Sequence, residues 1–148
     1  MNLMRRRQMT KVAVLSASGQ IAKLAEELLL EDDSNQLVLF LRHPNKLDKS
    51  KIDEKCEKIV IGDASRSDEV ANAIKGVDIV YANLAGGNIE EQAKAVVKAM
   101  DDENVKRLIW ISSLGVYDEV PEKFGEWNKN ILGSYLMTKI PLKIFVIM

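Results

Sequence analysis

The stretch Lys-Val-Ala-Val-Leu-Ser-Ala-Ser-Gly-Gln-Ile-Ala at positions 11–22 restricts the fold of this chain more than any other. Val12 to Leu15 form an apolar, β-branched run, Gly19 sits in a turn, and Ile21, Leu24, Ala25, Leu28 and Leu29 recur at helical spacing. That order predicts a buried strand (11–16), a tight turn and a helix (19–31), with the helix stripe facing the core. A strand that feeds a helix N-terminus aims unpaired N–H groups and the positive end of the helix dipole at one spot. An anion such as a pyrophosphate can bind there.

Apolar runs and helical patterns then alternate at the tempo of βαβ units. Strands are expected at Gln36–Leu41, Glu57–Gly62, Val77–Ala82 and Val105–Ser112, with helices at Ser67–Lys75 and from Asn88 onward. In the last of these, Asn88 is a candidate cap, Glu91 holds the capping-box position, and Ile89, Ala93, Val96, Val97 and Met100 make an apolar stripe. Continuous apolar strands need cover on both faces, as in a parallel sheet. The expectation is a Rossmann-type, three-layer α/β/α fold with strand order 3-2-1-4-5, and a sixth strand is possible at 143–148. Residues 1–10 read as a disordered tail, and 11–148 as one domain.

Composition narrows the function. The net charge is −1, from 21 basic and 22 acidic residues that are interspersed, so no single-sign field invites nucleic acid. No run approaches the ~18 apolar residues of a membrane span. The one cysteine, Cys56, excludes an internal disulfide and a thiolate metal cage, which suits a reducing cytoplasm. No metal site, nucleic-acid partner or membrane partner is expected.

In parallel sheets ligands lie outside the carboxyl ends of the strands, near the switch in strand order. Small and polar residues gather there: Ser16 to Ile21, Arg42, Gly62-Asp63-Ala64, Asn83-Leu84-Ala85 and Ser112-Ser113. Ser16, Gly19 and Ala22 match the small-residue pattern Gly-x-x-Gly-x-x-Gly/Ala of a dinucleotide turn, with one glycine of the set retained. Arg42 stands about 20 residues after that turn, where an NAD-specific site carries an acid, and no Asp or Glu occupies 38–45. A guanidinium there suits a 2′-phosphate and points to NADP over NAD.

With Ser-Ala-Ser-Gly-Gln-Ile-Ala at 16–22, Leu-Arg-His-Pro at 41–44, Gly-Asp-Ala at 62–64, Gly-Val-Asp-Ile-Val at 76–80 and Ile-Ser-Ser-Leu-Gly-Val-Tyr at 111–117, the chain resembles the atypical short-chain dehydrogenase/reductases. The likeness is greatest to the NmrA-like and flavin-reductase-like NAD(P)H-binding proteins. The resemblance implies that Ser16, Ser18, Gly19, Gln20 and Ile21 lie at the pyrophosphate turn and that Arg42 meets the 2′-phosphate. Asp63 and Ala64 would border the adenine, Asn83, Leu84 and Ala85 the ribose side, and Ser112 and Ser113 would face the nicotinamide. Tyr135 and Lys139 have the Tyr-x-x-x-Lys spacing of short-chain reductases, in which the lysine lowers the tyrosine pKa for proton exchange with substrate. Pro141, two residues later, disturbs a helix there.

Relative to such proteins the chain is expected to lack a C-terminal segment, through a truncation or as a short module, and to dimerise through its apolar end. The function expected is hydride transfer from NADPH to a flavin, quinone or small carbonyl compound. The alternatives are a non-catalytic NAD(P)-binding redox sensor and an inactive truncated paralogue.

Overall fold

Lys11–Leu15 (β1), Gln36–Leu41 (β2), Glu57–Ile61 (β3), Ile79–Ala82 (β4) and Arg107–Trp110 (β5) pair in parallel, in the order β3-β2-β1-β4-β5. The computed structural model describes residues 9–111. The possible strand at 143–148 lies outside them, as does most of the N-terminal tail. Three helices connect the strands: Gln20–Leu30 (α1), Ser67–Ile74 (α2) and Ile89–Asp102 (α3). Two short 3₁₀ turns, Pro44–Lys46 and Lys49–Lys51, carry the chain from β2 to β3.

Register places Leu15, Phe40, Val60, Ala82 and Trp110 in one row across the carboxyl end of the sheet. Because side chains alternate along a strand, this row and the one two residues earlier face α2 and α3. Val70 and Ile74 of α2 and Ala93, Val96 and Ala99 of α3 close over them in an apolar layer. The opposite face, with Val12, Val14, Leu37, Leu39, Leu41 and Tyr81, lies under α1 and the 3₁₀ turns.

The phase of α1 differs from the sequence expectation. Ile21, Leu24 and Leu28 are 51%, 61% and 66% exposed, whereas Ala22 and Glu26 are buried and Ala25 and Leu29 pack on the sheet. Periodicity sets the spacing of a stripe but not its phase. Here the small Ala22 comes down behind the β1–α1 turn and carries Glu26, one turn later, into the interior. In α3 the buried face runs through Gln92, Ala93, Ala95, Val96, Ala99 and Met100, and Val97 points out. Asn88 is the N-terminal flanking residue of α3 but does not cap it. Its Oδ1 accepts instead from Gln92 Nε2 at 2.6 Å, so neither Asn88 nor Glu91 forms the expected capping box.

Candidate functional site: a cleft at the switch between β1 and β4

The chain leaves β1 toward β2 on one side and β4 toward β5 on the other, and the crevice between opens at the strands' carboxyl ends. It encloses about 160 Å³ between the ends of β1, β2, β3 and β4.

The β1–α1 turn forms one wall. Ser16 takes φ +65°, a left-handed conformation that costs a non-glycine residue about 1–2 kcal/mol. Its N–H and that of Ala17 both donate to the Phe40 carbonyl, at 2.9 and 3.3 Å, which holds the strained turn against β2. Gly19 is extended at φ −71°, ψ 149°, so it is wanted for space rather than for freedom of φ. A Cβ there would lie 3.3 Å from the Ser16 carbonyl oxygen and 3.4 Å from Asn83 Nδ2. The first backbone bond of α1 is Lys23 N–H to Gly19 O, no side chain caps the helix, and its first turn holds no acid. The amides of Gln20, Ile21 and Ala22 thus have no intrahelical acceptor. By contrast α2 and α3 each begin with two acids, Asp68 and Glu69, and Glu90 and Glu91.

The ends of β2 and β3 form the opposite wall. Arg42 follows β2 and makes no ion pair among the described residues. His43 and Lys46 line the cleft beside it. After β3, Gly62 lies against the Phe40 ring: a Cβ would come within 2.5 Å of Cε2 and 2.8 Å of Cζ, so no other residue fits without displacing the ring. Asp63 Oδ1 accepts from Ser65 N–H at 2.9 Å and from the Ser65 hydroxyl at 2.7 Å. These two bonds hold the Asp63 carboxyl below its usual range, and Arg42 and Arg66 add to the effect. On the β4 side, Gly86 turns the loop at φ +118°. Buried Gln92 ties that loop down by donating to Ala85 O at 3.3 Å as well as to Asn88.

Of the residues singled out from sequence, Ser16, Ser18, Arg42, Asp63, Ala64, Leu84 and Ala85 line the cleft. Gly19 and Asn83 meet each other behind it, while Gln20 and Ile21 open α1 with side chains directed to solvent. Ser112, Ser113, Tyr135 and Lys139 lie outside the described residues. Sequence reasoning missed Phe40, Leu41, Lys46 and Gln92, and took His43 for a loop residue. Lys46 could have been noticed as a second cation just past Pro44, and Gln92 as a polar residue amid the buried side of a helix. Among the described residues no group of His, Cys, Asp and Glu is arranged for a metal, and no helix is long and apolar enough to cross a membrane.

The model of the NAD(P)H-binding family matches residues 16–141, most of the chain. This chain belongs to the NAD(P)H-binding family. A solved Rossmann-fold NAD(P)-binding family protein from Shigella flexneri is 36% identical, with a TM-score of 0.67 over 87% of this chain and 64% of that one. A short-chain dehydrogenase/reductase from Veillonella parvula, crystallised with NADP, shares the fold at 22% identity and a TM-score of 0.76, over 86% of this chain and 59% of that one. ChuY, an anaerobilin reductase of Escherichia coli O157:H7, aligns at 21% identity and a TM-score of 0.71, over 86% of this chain and 62% of its own length. The chain thus spans 59–64% of the length of these three proteins. No curated protein sequence matches it. In open parallel sheets of this order, the crevice at the switch point is where ligands generally lie.

Proposed function

We propose that the chain binds NADPH in the switch-point cleft and serves hydride transfer to a flavin, quinone or small carbonyl acceptor. The observation that carries this reading is Arg42, a guanidinium at the end of β2, on the cleft, without an ion-pair partner among the described residues. A free planar cation in that place matches a 2′-phosphate, with Lys46 adding charge at the same lip.

The other donors fit the rest of the nucleotide. The open amides of Gln20 to Ala22, at the positive end of α1, match a pyrophosphate, and the absence of an acid from that turn leaves the field uncancelled. Asp63 keeps one carboxylate oxygen clear of Ser65, a suitable acceptor for an exocyclic amine. When bound, a reduced nicotinamide supplies two electrons and a proton as hydride. The chain's own residues position it and set the local charge. Reductases among the fold neighbours support the same assignment.

Titration calorimetry with both nucleotides tests the reading. NADPH should bind more tightly than NADH, and Arg42→Ala should remove roughly 1.5–3 kcal/mol of that preference, the worth of a charged hydrogen bond. Equal affinities in the wild type would sink the NADP assignment. Steady NADPH oxidation with a flavin or quinone acceptor then separates a reductase from a binding module that turns nothing over.

A further inference from the structure

We propose that Glu69, in the first turn of α2, is the positioning residue that sets the base-binding rim of the cleft. Arg66, the residue at the N-terminal flank of α2, offers no side-chain cap, and Glu69 stands three residues after it, where a capping box would turn back to the flanking amide. It reaches further. Glu69 Oε2 accepts from the Asp63 backbone N–H at 2.7 Å, six residues upstream, and Oε1 accepts from Arg66 Nε at 2.8 Å.

Both ends of the β3–α2 turn are therefore tied to one carboxylate. The turn itself is drawn in by Arg66 N–H to Asp63 O at 3.0 Å and by the two Ser65 donors on Asp63 Oδ1. Oε2 also lies 3.0 Å from where a Gly62 Cβ would stand, so the carboxylate packs under the same glycine that admits the Phe40 ring. The consequence is twofold. Glu69 fixes the direction in which the Asp63 carboxylate and Ala64 meet the cleft, and it holds the Arg66 guanidinium on α2.

The role rests on the nucleotide reading of the cleft, and it makes a claim that Arg42 does not. The base rim is common to NADPH and NADH, so loss of Glu69 weakens both alike, whereas loss of Arg42 weakens NADPH alone.

Reach and charge are separated by two variants of the full chain. Glu69→Gln keeps an oxygen at the same reach for the Asp63 amide and should bind both nucleotides within about threefold of wild type. Glu69→Asp keeps the charge that favours a helix N-terminus but is shorter by one methylene, and should lose roughly tenfold toward both, the worth of one hydrogen bond. Amide exchange at Asp63 in ligand-free protein, protected in wild type and Glu69→Gln and faster by tenfold or more in Glu69→Asp, reads the contact without any nucleotide. Glu69→Asp binding like wild type while Glu69→Gln fails would show that charge alone matters and overturn the proposal, as would a loss confined to NADPH. A wild type that binds neither nucleotide would overturn the functional reading and this role with it, even with the exchange pattern intact.

Discussion

The two faces of the sheet are built by different rules. Under α2 and α3 the interior is apolar apart from Gln92, whose amide is hydrogen-bonded to Ala85 O and Asn88, and Phe40, Ile74, Val80 and Val96 are fully enclosed. Under α1 two carboxylates are buried as well, Glu26 and Glu57, each 8% exposed. Glu57 has a partner in the Asp53 amide at 2.8 Å, whereas Glu26 Oε1 has none. The same helix leaves three large apolar side chains in solvent. One face therefore carries cohesion, and the other carries a cost that depends on pH.

The apolar face breaks hardest. Phe40→Ala removes a ring that packs both the core and the cleft wall, and should cost about 3–5 kcal/mol in urea denaturation. A cost under about 1 kcal/mol would mean that this face relaxes around a cavity and is not the rigid one.

Glu26 tests the other face. Burial raises its carboxyl from 4.5 to about 7, and the neighbouring Glu57 adds to the rise, while Lys23 opposes it. A group whose pKa is raised on folding contributes fully below its unfolded value and loses that contribution as pH rises through the folded one. Below about pH 4.5 the carboxyl is protonated in both states, and above about pH 7 the fold must hold it ionised. Glu26→Gln should therefore gain about 2 kcal/mol over wild type at pH 8 and almost nothing at pH 4.5. A difference that does not change between those two pH values would place Glu26 in water.

The smallest effect belongs to the outer side of α1. Leu28→Ser should change stability by less than about 0.5 kcal/mol, because its side chain is already 66% exposed. A larger loss by thermal melting would show that this stripe is covered in solution.

Strand order and the ends of most elements were legible because each strand is a continuous apolar run bounded by Gly, Pro or charge, and the βα tempo leaves few topologies. Residues at strand ends were legible for the same reason: a parallel sheet brings Ser16, Arg42, Asp63 and Leu84 to one rim whatever the helices do. What sequence could not supply was the phase of a helix or the fold of a connection. Ile21, Leu24 and Leu28 look like a core stripe, and only the descent of Ala22 behind the turn reveals otherwise. Lys46 reaches the cleft through a 3₁₀ turn inside what reads as a charged linker. Glu69 and Gln92 act through hydrogen bonds to backbone groups six and seven residues away, and no local pattern encodes such pairs.

Phe40 belongs at once to the core beneath α2 and α3 and to the wall of the cleft, with Gly62 bare so that the ring can lie there. Occupancy and cohesion are for that reason a single linked equilibrium. Any molecule that seats in the cleft of the folded chain alone, at a hundred times its dissociation constant, adds about 2.7 kcal/mol to folding, whether or not chemistry follows. A melting curve thus becomes a ligand census that needs no turnover. The converse holds too, since loosening the layer around Val96 or Trp110 draws down the population able to bind and lowers apparent affinity at a site those residues never touch.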